Sequence, residues 1–133
     1  MNFLLDTNVC IRYLSGRSPS ILNTLRTKKR GVIRVCSVVK SEMFYGAMKS
    51  QDPIGNLRQQ EAFFAPFPSL AFDDEAARIF GKIRADLSRR GLPIGPYDLQ
   101  IAAIALVNGC TLVTHNIAEF SRVDGLVLED WEI

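Results

Sequence analysis

Short apolar runs alternating with helical patterns constrain this chain more than any other feature. Phe3-Leu4-Leu5, Val32–Cys36 and Thr111–Thr114 have the length of buried strands, and Val127–Leu128 is a shorter fourth run. Val9, Ile11 and Leu14 predict a brief helix after the first run. Ser18-Pro19 can cap and start a second helix carrying Ile21, Leu22 and Leu25. Ser37 opens a third through Met48, and residues 54–65 read as a fourth, ended by Pro66 and Pro68. Asp73 or Asp74 caps a long helix whose apolar positions Ala76, Phe80, Ile83 and Leu87 follow helical spacing, with Gly91 closing it. Pro96 starts another, closed by Gly109. Its stretch Ile101–Val107 is apolar almost all round, so this helix should be central and buried. The alternation predicts an α/β sandwich around a mostly parallel sheet, in which ligands bind beyond the carboxyl ends of the strands. A length of 133 residues suits one domain over 1–133 and is short for two well-filled cores.

Charge is unevenly distributed along the chain. Residues 1–50 hold nine Lys and Arg against two acids, Asp6 and Glu42, for a net +7; the remainder is −5. Such polarity either turns a basic face towards a polyanion or reflects two solvated faces. Cys10, Cys36 and Cys110 are scattered, with no C-x-x-C and no zinc spacing, and read as buried apolar residues in a reducing, cytoplasmic compartment. No apolar run reaches the roughly 18 residues of a membrane span, and Asp6 interrupts the only N-terminal apolar stretch, so neither a span nor a signal peptide is expected.

Four carboxylates stand out. Asp6 follows the first strand directly and so sits at a carboxyl edge; the plainer reading is a turn completed by Thr7 and Asn8. Glu42 shares a helical stripe with Val38, Val39 and Gly46, which directs it inward or to a cleft unless it reaches solvent at the stripe's edge. A buried carboxylate there needs a metal or a basic partner. Asp98 lies in the first turn of the apolar helix, where it either serves the helix dipole or projects into the cleft of Asp6. Glu119 falls three residues after Asn116, just past the strand Thr111–Thr114, a spacing that also fits simple capping. His115, the only histidine, has no evident partner in the sequence, so Ser-His-Asp and Cys-His triads have little support. Converging acids raise one another's pKa unless a cation compensates them. An all-oxygen donor set selects Mg²⁺, or Mn²⁺ in its place, and such ions support phosphodiester cleavage. The basic half, with Lys28, Lys29 and Arg30 at its centre, would then hold a phosphate backbone.

The segments FLLDTN at 3–8, SVVKSEMFYGA at 37–47, PIGPYDLQIAA at 93–103 and TLVTHNIAEF at 111–120 resemble, in order and spacing, the motifs of PIN-domain ribonucleases. More narrowly, the chain resembles the VapC toxins of bacterial type II toxin–antitoxin modules, over about Phe3 to Trp131. The resemblance implies a three-layer PIN-like sandwich and Mg²⁺-dependent endonucleolytic cleavage of RNA that inhibits translation. It places Asp6, Glu42 and Asp98 in the acidic set, with Asp6 and Asp98 as metal ligands. Many PIN domains carry a fourth Asp where this chain has Asn116, and the resemblance gives Glu119 the metal or water-positioning role. Asn8 and Asn116 are expected to support the site or touch substrate. A homodimer, a VapB-like antitoxin and a tRNA substrate, particularly initiator tRNA, are implied as partners. Lys40 stands where a small hydroxyl residue is common. Two other readings compete: a flavodoxin-like phosphatase or phosphoacceptor domain with Asp6 as nucleophile, which lacks the usual second Asp because position 8 is Asn, and an RNA-binding module whose site has decayed at Asn116.

Overall fold

The computed structural model describes all residues from Met1 to Ile133. In chain order the elements are β1 (Asn2–Leu5), α1 (Thr7–Ser15), α2 (Pro19–Thr27), β2 (Ile33–Cys36), α3 (Ser37–Met48), α4 (Pro53–Phe64) and β3 (Ser69–Leu70). They continue with α5 (Asp74–Arg89), α6 (Pro96–Val107), β4 (Cys110–Val113), α7 (Ile117–Phe120) and β5 (Leu128–Glu129). All the strand pairings are parallel, in the order β3-β2-β1-β4-β5. The chain walks outward from β1 to β3, then returns to place β4 on the other side of β1. Right-handed crossovers on the two sides of this reversal put their helices on opposite faces of the sheet, which makes three layers. This order differs from the flavodoxin-like 2-1-3-4-5 arrangement, so the phosphoacceptor reading loses its fold.

Side-chain periodicity explains the burial. Leu4, Leu5, Val35, Leu112 and Val113 are almost fully buried, which suits short strands covered on both faces. The helix α6 buries Leu99 and the run Ile101–Ala105, and three alanines in that run let neighbouring backbones approach closely; it packs most extensively against α5. On α5, Ala76 and Leu87 are buried while Phe80 and Ile83 pack at the margin of the core. Gly91 and Gly109 end α5 and α6 with φ of 69° and 62°, a left-handed turn that glycine makes at low cost. The three cysteines are buried and free, and burial pushes the Cys36 thiol up to about 11, so it stays an inert thiol.

Element boundaries differ from expectation by a residue or two. A 3₁₀ turn at Arg30–Val32 delays β2 to Ile33, and β4 and β5 shift to Cys110–Val113 and Leu128–Glu129. The edge strand β3 was not anticipated: two residues after Pro68 show no period, and a Val35 N–H bond to the Pro68 carbonyl at 3.0 Å draws them onto β2. Ile11, assigned to the apolar stripe of α1, is 46% exposed. Lys40 acquires a simple role, its ammonium lying 5.3 Å from the Phe64 ring centre.

This layout predicts that Ile104→Ala, at the centre of α6, lowers stability by about 2–5 kcal/mol, whereas Ile11→Ala changes it by about 0.5 kcal/mol or less. Urea denaturation of the two variants, at unchanged m-value, checks the contrast.

Candidate metal centre

The reversal of strand order falls between β1 and β4, and the candidate site lies at their carboxyl ends. Asp6 leaves β1 with its N–H bonded to the Val113 carbonyl at 3.1 Å, which fixes it against β4. Its side chain then caps α1, Oδ1 accepting the Val9 N–H at 2.9 Å. The expected turn is therefore a helix N-cap. Asp6 is 5% exposed, and burial is the main cause that raises its carboxyl from 3.8 to about 6. The Thr114 hydroxyl and Val9 N–H oppose that rise, and the charges of Glu132 and Glu42 add to it.

The other three acids approach from different elements. Glu42, on α3 behind the buried Val38 and Val39, accepts the Thr7 hydroxyl at 2.8 Å, so the residue next to Asp6 ties α1 to α3. Asp98 sits in the first turn of α6, partly buried. Desolvation first, then the charges of Glu119, Asp6 and Glu42, raise its carboxyl from 3.8 to about 6. Glu119, on α7, accepts Asn116 Nδ2 at 2.8 Å and the Gly95 N–H at 3.4 Å. That second contact fixes α7 to the start of α6, three residues before Asp98 on its first turn. Asn116 is the N-cap residue of α7, but its side chain serves Glu119 instead of making a cap bond. Its N–H donates to Thr114 Oγ1 at 3.0 Å. Asn8 lines an open cavity with Asp6 and Asn116.

None of these four acids has a cation partner. The salt bridges of the molecule join Arg12 to Glu132, Arg90 to Asp86, and His115 to Asp130 and Glu132. Lys28, Lys29 and Arg30 lie ahead of β2, at the amino edge of a parallel sheet, across from the acids. Lys28 spends its charge over the rings of Phe3 and Trp131, at 4.7 and 5.9 Å from their centres. Mutually repelling carboxylates with oxygen donors alone and no basic partner fit a hard divalent cation.

A second group of acids escaped the sequence reading. Asp130 and Glu132, just after β5, meet His115 with contacts of 2.9 and 3.4 Å to its Nδ1. These three residues bring one ligand atom each to within 4.8 Å of one another, a tighter spacing than any three of the predicted acids reach. Arg12 already neutralises Glu132, however, and His115 already engages Asp130. His115 thus has the carboxylate partner that its sequence neighbours did not suggest. The segment carries no periodic signal, and only the folded sheet brings residues 130–132 beside residues 12 and 115.

A PIN domain model matches residues 3–126. This chain belongs to the PIN-domain family. Its full-length relatives include VapC ribonucleases. It is 41% identical over 131 residues to the tRNA(fMet)-specific endonuclease VapC of Shigella flexneri, covering 98% of each chain. It is 35% identical over 133 residues to ribonuclease VapC2 of Rickettsia felis, covering 99% of each. Among solved structures it is similar to DNA-bound VapBC from Salmonella typhimurium, with a TM-score of 0.92 and 38% identity over 98% of each chain. The VapBC2 structure from Rickettsia felis, bound to a fragment of its promoter, aligns with a TM-score of 0.91 and 34% identity over 98% of this chain and 99% of that one. The PIN-like three-layer architecture expected from the motifs is the one observed, and no helix is long and apolar enough to cross a membrane.

The PIN-domain cluster has a measurable electrostatic consequence. Asp6 and Asp98 bind protons more readily in the folded chain than in the unfolded one, so their contribution to stability falls as pH rises from about 4 through about 6. In metal-free buffer Asp98→Asn should raise Tm by about 3 °C near neutral pH and leave it unchanged near pH 4. Calorimetry of wild type and variant at the two pH values checks both the sign and the window.

Proposed function

We propose that this PIN-domain protein is a Mg²⁺-dependent endoribonuclease of the VapC type, in which Asp6 and Asp98 bind the metal and Glu42 and Glu119 complete the catalytic set. The observation that carries this reading is the convergence of carboxylates from four separate elements on the β1/β4 edge, without a basic side chain to neutralise them. Mg²⁺, or Mn²⁺ in its place, would supply charge stabilisation at the phosphate and lower the pKa of a bound water. Asp6 is held by its cap bond and Asp98 by the rigid α6, so their oxygens need little reorganisation on metal binding. Glu42, oriented by Thr7, and Glu119, oriented by Asn116, can each direct a water towards the phosphorus. Asn116 then serves as the support for Glu119 and not as a ligand in its own right.

The relatives named tRNA(fMet)-specific endonucleases support a tRNA substrate, initiator tRNA in particular. The VapBC complexes among its structural neighbours support restraint by a VapB-like antitoxin. A homodimer within such a complex, in the cytoplasm, completes the reading.

Cleavage of purified initiator tRNA, compared with an elongator tRNA, tests the proposal. Chelation should abolish product, and Mg²⁺ or Mn²⁺ should restore it. Asp98→Asn should leave no detectable cleavage, and Asn116→Ala should reduce the rate about 10–100-fold by loosening Glu119. Full activity of Asp98→Asn would overturn the assignment, and RNA binding without cleavage in either metal would favour a decayed binding module.

A further inference from the structure

The cavity beside Asp6 has a volume of about 450 Å³, within the range of roughly 300–1,000 Å³ typical of small-ligand sites. It runs along the outer face of α1. Asn8, Ile11, Arg12 and Ser15 recur at three- and four-residue spacing and so share that face. From Asn8 to Ser15 the helix rises about 10 Å. His115, Asn116 and Glu132 line the cavity opposite. Ile11 is the one hydrophobic residue in its lining, so the cavity is unsuited to an apolar ligand.

Its charges are arranged along its length. Asp6, the one candidate metal ligand in the lining, lies at one end. Arg12 is held by Glu132, which also contacts His115, so this part of the wall is electrically satisfied and fixed in place. Arg17 is different. It follows Gly16, whose φ of 70° ends α1 in a left-handed turn, and its guanidinium joins none of the molecule's salt bridges. The cavity therefore has a candidate cation site at one end and an uncommitted arginine at the other. His115 has a side chain 62% exposed, with Nδ1 engaged by Asp130, which leaves its ring available for stacking.

We propose that this cavity is a subsite for the RNA strand, in which Arg17 binds a phosphate further along the strand from the one at the carboxylate cluster and the Arg12–Glu132 pair forms the fixed wall between them. The inference deepens the ribonuclease reading and rests on it for the position of the scissile phosphate. Arg17 presents a planar fork suited to phosphate oxygens. The polyanion would then run from the metal end of α1 to its carboxyl end, where helix carbonyls repel phosphate and a free cation is needed.

Fluorescence anisotropy of labelled initiator tRNA in chelator, across a salt series, tests this with the full chain. Arg17→Ala should weaken binding about five-fold and lower the slope of log K against log salt by about one. Arg17→Lys should recover most of the slope, because charge is retained. Lys82→Ala, on the exposed face of α5, should match wild type in both. In cleavage assays Arg17→Ala should raise KM while kcat stays within about two-fold. Wild-type affinity and slope in Arg17→Ala would overturn the subsite, as would absence of RNA binding by the wild-type chain. Cleavage that is intact with binding indifferent to Arg17 sinks the subsite and keeps the ribonuclease. Arg17-dependent binding without cleavage in Mg²⁺ or Mn²⁺ does the reverse.

Discussion

The parallel pairing of β1 with β4 is the constraint on which the rest of this molecule depends. Register from Asn2–Cys110 to Leu5–Val113 brings the carboxyl ends of both strands level, and the Asp6 N–H continues the ladder one step further. Because the chain reverses its direction of winding there, no crossover helix covers the junction. Asp6 consequently occupies a position at which a backbone ladder ends, a helix begins and two layers part. Its carboxylate has a structural task, capping α1, and is simultaneously almost removed from water. Losing the cap alone would cost about 1 kcal/mol.

Placing acids around that junction opposes folding, and the structure moderates the opposition without cancelling it. Asp6 caps α1 and Asp98 occupies the first turn of α6, so both carboxylates face the positive end of a helix dipole. Hydrogen bonds from Thr7 and Asn116 take up one oxygen each of Glu42 and Glu119. These devices are neutral or only partly charged. A lysine or arginine inside the cluster would quench the field that attracts a divalent ion, and none is there. The elevated carboxyls of Asp6 and Asp98 are the residue of this compromise.

Much of this arrangement was legible in the sequence because it follows from short-range rules. Phe3-Leu4-Leu5 followed by Asp6 marks a strand end, and Pro96 with Gly109 brackets a helix whose apolar run requires burial. The four motif segments placed Asp6, Glu42, Asp98 and Glu119 together, and the fold brings them to one edge. Long-range features were less accessible. Asn116 suggested a cap because capping is a local signal, whereas its bond to Glu119 depends on how α7 turns. Asp130 and Glu132 follow a two-residue strand, and their meeting with Arg12 and His115 is set by sheet order alone. The run Lys28-Lys29-Arg30 shows how far a linear charge pattern can lie from the acids in the fold. Linear charge density suggested a nucleic-acid contact, but a parallel sheet separates its amino and carboxyl edges, and these residues precede β2.

The two acidic groups near Asp6 show how one edge of a sheet can use the same residue type in opposite ways. Asp130 and Glu132 stand closer to a shared point than the predicted acids do, and by spacing alone they would be the better metal site. Spacing is not the deciding quantity. Arg12 already pairs with Glu132 and the His115 ring already engages Asp130, so a cation entering there must displace partners that are in place. At Asp6, Glu42, Asp98 and Glu119 no cationic side chain has to be displaced, and an ion relieves repulsion that the fold otherwise sustains. The compensated group stiffens the wall by linking α1, the end of β4 and the segment after β5. The uncompensated group supplies the electrostatic demand, and what separates architecture from chemistry at this edge of the sheet is the location of the positive partner.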